Sequence, residues 1–361
     1  MTEKGKSKQG RTSAELRSRA KEAVKRGFKL RPEDSTVDVT MIGSTGTGKT
    51  TLLASMYERF GHVAGGASLD VHTLKHGDAA RLNGYVENLH RLPASIRVSG
   101  GIPGTGILYE YTFGVGVKGR RPAFNLRFTD YPGKYVLDPS VPGAERVSEI
   151  LRRSQVILVA IDTPALVELN GRYHEAINRT MTVLEEVKGL LRDNTVPRLV
   201  ILTLLKSEKY LKSREDAAAL TRRAIEGYRP LLEYIKGGEL AERTACVLAP
   251  VQTVGSVVLS RAAEDESGGP VFYFRSTSIN AVYAPEDTDQ PLRYTLRFVI
   301  NSYRLGERPW LKSMWEQVIG VDKQLVAAVE EFASGCKADN GFAILQDHEY
   351  LHATPGPAGA R

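Results

Sequence analysis

The chain has 361 residues, of which 42% are apolar and 25% are charged, with a net charge of +7. This balance is typical of a globular protein, and a chain of this length buries a core without disulfides. No apolar run reaches the roughly 18 residues of a membrane span, and the charged N-terminus lacks the apolar stretch of a secretory signal. Cys246 and Cys336 are the only cysteines, which excludes a disulfide framework and zinc spacing. The composition predicts a cytoplasmic protein without a transmembrane segment.

Positive charge is concentrated at the start of the chain. Residues 1–31 contain eleven Lys or Arg and three Glu, so they carry +8 and the remainder carries −1. We predict that residues 1–35 form a basic arm that is partly disordered or helical. A solvated arm is the simpler interpretation, and binding of nucleic acid or an anionic membrane through residues 1–31 is the alternative.

An apolar strand at 37–42 leads directly into the motif Gly43-Ser-Thr-Gly-Thr-Gly-Lys-Thr50, which a predicted helix at 50–60 follows. This is the strand, G-x-x-x-x-G-K-[ST] loop and helix of a phosphate-binding loop. Glycines let successive backbone N–H groups turn toward a polyphosphate. Lys49 then reaches the β- and γ-phosphates, and the Thr50 hydroxyl ligates Mg²⁺. The predicted nucleotide-binding residues are Ser44, Thr45, Gly46, Thr47, Gly48, Lys49, Thr50 and Thr51.

The next part of the chain is predicted to be an insertion, 61–104, with a helix near 79–92. A hairpin of strands at 107–115 and 123–129 follows, and Asp130-Tyr-Pro-Gly133 comes directly after it. A carboxylate at a strand end beside a phosphate-binding loop provides the second anchor that Mg²⁺ requires. Gly133 offers a backbone N–H to a γ-phosphate.

Apolar strands alternate with helical patterns through the middle of the chain, which predicts a mostly parallel sheet with helices on both faces. The fold class is therefore a doubly wound α/β domain at 36–260 with one antiparallel hairpin strand. The strands are expected at 156–161, 199–205 and 245–251, and the helices at 173–192 and 214–235.

The last part of the chain is predicted to be a mainly helical C-terminal extension, 261–345, packed on this domain, and a flexible tail, 346–361. Within the tail, His348-Glu-Tyr-Leu-His352 fits the zinc-protease motif H-E-x-x-H. Pro355 and Pro357 end any helix there, and the chain offers little room for a third ligand. We interpret this motif as incidental.

The segment Asp130-Tyr-Pro-Gly-Lys-Tyr-Val-Leu-Asp138 resembles the D-x-x-G switch of translation-factor-class P-loop GTPases. More narrowly, it is similar to the Asp-Tyr-Pro-Gly segment of bacterial YcjX-like GTPases and of the double-GTPase family of bacterial conflict systems. The resemblance implies GTP and Mg²⁺ as ligands and a role in bacterial stress response or antiviral defence. It also implies a segment near 105 and 130–138 that GTP orders and hydrolysis releases.

Further site residues follow from the resemblance. It implies a threonine that ligates Mg²⁺ before the hairpin, and Thr105 occupies that place, with Thr112 and Thr73 as alternatives. Base recognition by Asn/Thr-Lys-x-Asp corresponds to the segment at 205–208. Lys206 matches its lysine, Leu205 departs from it, and Glu208 replaces its aspartate.

The resemblance also bears on hydrolysis. Many relatives carry Gln after the switch glycine, where this chain carries Lys134, and lysine cannot accept a proton from water. Slow intrinsic turnover is expected, with a protein effector, an activating partner or a second copy in a homodimer completing the site. ATP remains a possible ligand in place of GTP. An ATP-dependent enzyme such as a small-molecule kinase, or a non-hydrolysing nucleotide-gated scaffold, is the alternative function.

Overall fold

The computed structural model describes residues 36–63, 68–91, 95–97, 108–131, 144–192, 197–305 and 323–352. The basic arm predicted at 1–35 lies outside these residues, as do Thr105, Gly133, Lys134 and the end of the tail. None of the helices in the described ranges combines the length and apolar character needed to cross a bilayer.

Strands build two sheets. The described strands are β1 (Thr36–Ile42), β2 (Leu69–Thr73), β3 (Ser95–Arg97), β4 (Tyr109–Val117), β5 (Phe124–Asp130), β6 (Val156–Asp162), β7 (Arg198–Leu205), β8 (Thr244–Pro250), β9 (Val257–Glu264), β10 (Pro270–Ser276) and β11 (Ala343–Gln346). The main sheet has the order β11-β8-β7-β6-β1-β5-β4-β2, and the smaller sheet has the order β3-β10-β9.

Helices connect most of these strands. The described α-helices are α1 (Lys49–Val63), α2 (His76–His90), α3 (Ala144–Arg153), α4 (Thr163–Val167), α5 (His174–Asn178), α6 (Thr180–Arg192), α7 (Arg214–Gly227), α8 (Arg229–Ile235), α9 (Gln290–Arg304) and α10 (Lys323–Ser334). Strand β1 pairs in parallel with both β5 and β6, and β7 and β8 continue the parallel order. Strands β4, β2 and β11 pair antiparallel. The predicted doubly wound sheet with an antiparallel hairpin strand is confirmed.

The core has two layers, one on each face of the main sheet. Along β6, Val156, Leu158 and Ala160 belong to the layer that includes α1, α9 and α10. The alternate residues of the same strand belong to the layer that includes α6, α7 and α8. Because successive side chains of a strand point to opposite faces, a strand covered on both sides reads as an unbroken apolar run.

The C-terminal segment packs onto the main sheet. Helix α9 lies in the first core layer, and Asn301 donates to the carbonyl oxygen of Tyr350 at 3.0 Å. Strand β11 extends the sheet at β8, and the β9–β10 hairpin runs through residue 260. The domain limits at 36, 260 and 345 stay a prediction, but strands as well as helices follow residue 260. Within the predicted insertion, β2 and α2 supply an edge strand and a helix.

Candidate functional site

The phosphate-binding loop follows a path that requires glycine. Gly43, Gly46 and Gly48 have φ angles of +145°, +84° and +109°, which side chains with a Cβ rarely adopt. A Cβ on Gly43 would lie 2.7 Å from the carbonyl oxygen of Ala160 in β6. The loop therefore passes closely over the carboxyl ends of β1 and β6, before α1 begins at Lys49.

Lys49 is buried in this loop, with 8% of its surface exposed. Its Nζ donates to the carbonyl oxygens of Gly43 at 2.7 Å and Ser44 at 3.1 Å. Thr47 Oγ1 also donates to the Ser44 carbonyl, at 2.9 Å. Burial lowers the pKa of Lys49, and the carboxylates of Asp130 and Glu186 oppose that shift. A buried ammonium beside a helix N-terminus is an arrangement that favours a bound anion.

The other predicted phosphate-loop residues differ in their exposure to solvent. Thr45 and Gly46 are exposed at the loop tip, whereas Thr47 is fully buried. Thr51 lies in the first turn of α1, where its carbonyl oxygen accepts a hydrogen bond from Ser55 Oγ at 2.8 Å. Their phosphate-binding roles stay predictions.

Thr50 and Asp130, 80 positions apart in sequence, meet at the top of the sheet. The parallel pairing of β1 with β5 places Asp130 opposite Met41, next to the start of the phosphate-binding loop. Thr50 Oγ1 donates to Asp130 Oδ2 at 2.9 Å, and both residues are buried. The two residues predicted to share a metal are therefore in contact, and their metal-binding role stays a prediction.

These two oxygen ligands fit Mg²⁺. That ion is usually bound by one or two protein oxygens, with waters and substrate phosphates completing the octahedron. No cluster of three or more His, Cys, Asp or Glu suited to a metal occurs in the described part of the chain, so an all-protein metal cage is not the arrangement found there. A hydroxyl and a carboxylate beside a phosphate-binding loop match the magnesium pattern of P-loop proteins.

Three predicted residues, Thr105, Gly133 and Lys134, lie outside the described ranges, so their roles stay predictions. The two alternatives to Thr105 lie in strands. Thr112 is in β4 opposite Arg127, and Thr73 ends β2 opposite Phe113.

The segment after β7 lies beside the phosphate-binding loop. Lys206 has a left-handed backbone, with φ of +59°. Its Nζ donates to the carbonyl oxygen of Gly46 at 3.2 Å and to Asp162 Oδ2 at 2.5 Å. The lysine therefore bridges the tip of the phosphate-binding loop and the end of β6. The predicted role of Lys206 in base recognition stays a prediction.

Glu208 is turned toward the loop that follows β8. Its Oε1 accepts the backbone N–H groups of Val254 at 3.2 Å and Gly255 at 3.3 Å. Burial raises the pKa of Glu208, and the donated N–H groups oppose that shift. Helix α1 holds the same loop, because Ser55 Oγ donates to the carbonyl oxygen of Thr253 at 2.8 Å.

Two participating residues were not predicted from the sequence. Asp162 ends β6, pairs with Lys206 and accepts the Ala165 N–H at the start of α4. Its signal was present, since an acidic residue directly follows the apolar run 156–161. Glu186 of α6 accepts a hydrogen bond from the Tyr131 hydroxyl at 3.4 Å. No sequence signal indicated it, because its neighbour on the helix, Glu185, is solvent-exposed and equally acidic.

Replacing Glu186 with glutamine is expected to stabilise the protein at pH 8. Burial raises the pKa of Glu186 to about 7, against the opposing effects of Tyr131 and Lys49. At pH values between the ordinary glutamate pKa and about 7, the unfolded chain releases this proton while the folded protein keeps it. The free energy of unfolding therefore falls as the pH rises through this window. The variant should gain on the order of 2 kcal/mol in unfolding free energy at pH 8, and little at pH 5.

Urea unfolding at the two pH values measures this difference, and Glu185→Gln on the same helix is the matched control. If the unfolding free energies of the wild type and of Glu186→Gln changed by the same amount between the two pH values, Glu186 would have an ordinary pKa.

The two histidines of the H-E-x-x-H match do not form a zinc pair. Only a short 3₁₀ turn, Glu349–Leu351, lies between them. His348 Nε2 contacts the carbonyl oxygen of Glu242 at 2.8 Å, and His352 Nε2 contacts Asp347 at 3.2 Å. This agrees with the interpretation of the motif as incidental.

No protein-family model matches the sequence, and the curated proteins contain no match to it. Solved structures match part of it. The GTP-bound GTPase-like domain of S. cerevisiae Ski7 is 14% identical over 61% of this chain and 43% of that chain, with a TM-score of 0.33. The signal recognition particle receptor SRb-GTP/SRX complex from Chaetomium thermophilum is 17% identical over 61% and 91%, with a TM-score of 0.35.

Sup35 complexed with GDP is 12% identical over 61% of this chain and 37% of that chain, with a TM-score of 0.28. This chain thus aligns with less than half of the Ski7 and Sup35 chains. Likeness at this level is not evidence of function, which rests on the residues of the site.

Proposed function

We propose that this protein is a Mg²⁺-dependent molecular switch that binds GTP and hydrolyses it slowly. The observation that carries the proposal is the 2.9 Å contact between Thr50 Oγ1 and Asp130 Oδ2, next to the buried ammonium of Lys49. A metal anchor, a cation and a glycine loop at a helix N-terminus are the parts that phosphoryl transfer requires.

Each residue has a distinct electrostatic task. Thr50 and Asp130 would hold Mg²⁺, which neutralises charge on the β- and γ-phosphate oxygens when bound. Lys49 exchanges the carbonyl oxygens of Gly43 and Ser44 for phosphate oxygens, because anionic oxygens are the stronger acceptors. Lys206, held between Gly46 and Asp162, covers the base.

Hydrolysis is slow in this proposal because Lys134 stands where similar GTPases carry glutamine. The isolated chain then turns over at about 10⁻⁴–10⁻² s⁻¹, as unassisted GTPases do. A protein partner or a second copy of this chain supplies what the site lacks. A role in cytoplasmic bacterial stress response or antiviral defence follows from the resemblance of the segment 130–138 alone.

Calorimetric titration of the full chain with GTP, GDP and ATP, with and without Mg²⁺, tests the proposal, together with phosphate release. We expect GTP to bind more tightly with Mg²⁺ than without it, and phosphate to appear at the slow rate given above. Flat titrations with every purine triphosphate would remove the proposal. Preferential ATP binding would favour an ATP-dependent enzyme, and tight GTP binding without phosphate release a non-hydrolysing scaffold.

A further inference from the structure

The carboxylate of Glu208 is bonded to the loop that follows β8. The side chain is buried, with 8% of its surface exposed. Both loop contacts go to one oxygen, since Oε1 accepts the N–H groups of Val254 and Gly255. The backbone N–H of Glu208 itself also bonds to this carboxylate, so three main-chain N–H groups meet it. Because the two oxygens of a carboxylate together offer about four acceptor positions, Oε2 provides the one position that remains for a ligand.

The loop that saturates Oε1 is held firmly. Gly255 has φ of +71°, and a Cβ there would lie 1.7 Å from the carbonyl oxygen of Ala284. The Ala284 N–H in turn donates to the carbonyl oxygen of Val254 at 3.0 Å. Ser55 of α1 fixes the preceding residue, Thr253. The main chain that carries the two N–H groups is therefore fixed in place. A base that bonded to Oε1 would have to displace both of these N–H groups from it.

The turn that carries Glu208 is equally constrained. Ser207 Oγ donates to the carbonyl oxygen of Leu204 at 2.8 Å, and the Tyr210 N–H donates to the Ser207 carbonyl at 2.9 Å. Lys206 Nζ ties the same turn to the phosphate-binding loop at Gly46. Under the proposed function, the base of a nucleotide bound in that loop lies at this turn, with its Watson–Crick edge toward Glu208.

Purines differ in what this edge offers. Guanine presents two donors side by side, N1–H and the 2-amino group, and needs two acceptor oxygens to pair with both. Hypoxanthine keeps N1–H and lacks the 2-amino group. Adenine has an acceptor at N1, which a carboxylate oxygen repels. One available oxygen can read N1–H and leaves the 2-amino group without a carboxylate partner.

We propose that Glu208 recognises 6-oxopurine nucleotides through Oε2 alone, so that the site binds inosine triphosphate about as well as GTP and rejects ATP. This specificity rests on the proposed function, because it assumes that a triphosphate occupies the phosphate-binding loop. The extra methylene of glutamate, compared with the aspartate of similar GTPases, is what lets the carboxylate reach the amides of Val254 and Gly255.

Competition binding of GTP, ITP and ATP to the full wild-type chain with Mg²⁺ tests the inference. We expect the Kd values for GTP and ITP to agree within about threefold, and ATP to bind at least about tenfold more weakly. GTP binding more than about 30-fold tighter than ITP would overturn the inference, because two acceptors would then read the base. ATP binding as tightly as GTP would also overturn it. In both cases GTP still binds, so the proposed function survives; it fails separately if no triphosphate binds.

Two variants of Glu208 extend the test. Glu208→Asp is too short to reach both amides, so both of its oxygens face the base, and the preference for GTP over ITP should rise by about tenfold. An unchanged ratio of the GTP and ITP Kd values would contradict the inference that Val254 and Gly255 occupy one oxygen of the carboxylate.

Glu208→Gln places a donor beside the base and should weaken the binding of GTP and ITP alike by at least about tenfold, while the affinity for ATP does not change. Unaltered GTP and ITP affinity would overturn the inference. The exposed Glu239→Gln is the matched control for loss of a negative charge.

Discussion

Replacing Lys49 with methionine is expected to weaken GTP binding by about 100-fold or more, because a buried cation that meets a phosphate is lost. Methionine keeps most of the aliphatic stem, so the change removes the charge with little change in packing. The ammonium is desolvated in the loop, and burial lowers its pKa. The ligand-free variant should therefore be no less stable than the wild type.

Isothermal titration with GTP measures the loss, and thermal unfolding without nucleotide checks the fold. Lys118→Met is the matched control, since Lys118 is exposed in the turn after β4. A Lys49→Met protein that binds GTP as tightly as the control would show that the glycine loop is not the triphosphate site.

Replacing Asp130 with asparagine is expected to abolish the effect of Mg²⁺ on GTP binding. The amide has almost the same shape as the carboxylate, but it lacks the negative charge that a small, hard cation requires. For the wild type we expect Mg²⁺ to tighten GTP binding by at least about tenfold, and for the variant by less than about twofold, because the variant lacks the charged ligand that holds Mg²⁺ beside the phosphates. Phosphate release should fall by about 100-fold or more.

The neighbouring threonine provides the control for this prediction. Thr50→Ser keeps the hydroxyl that contacts Asp130 Oδ2 and should keep the Mg²⁺ effect, whereas Thr50→Val should lose it. Titrating Mg²⁺ against each variant at constant GTP separates loss of metal from loss of nucleotide. If Asp130→Asn responded to Mg²⁺ as the wild type does, another residue would have to hold the metal.

The main sheet was predictable because its signals are local. Runs such as 156–161 and 199–205 are apolar at every position, and this pattern is typical of strands covered on both faces. The glycine loop lies between a strand and a helix, which identifies it within one stretch of about twenty residues. The smaller sheet was harder, since β3 and β10 pair across more than 170 residues. Strand β11 was missed because four residues carry too little periodicity.

The site was predictable only in part. The phosphate-loop residues and Asp130 lie next to recognisable strands, so their positions at the carboxyl edge of the sheet followed from strand order. The partners of Lys206 did not follow, because its ammonium bonds to Asp162 at the end of β6 and to Gly46 in the phosphate-binding loop, both far from it in sequence. Glu186 was likewise hidden, since a helical carboxylate in sequence does not reveal whether it is buried.

The sequence by itself determined that a glycine loop follows a strand and that a lysine and a threonine stand at the start of the next helix. Those features depend on backbone conformations within a few neighbouring residues. Only the tertiary structure decided that Thr50 contacts Asp130 and that Glu208 gives one carboxylate oxygen to the amides of Val254 and Gly255. Both contacts join segments far apart in the chain, and they depend on strand register and on the reach of a single side chain, which no local pattern encodes.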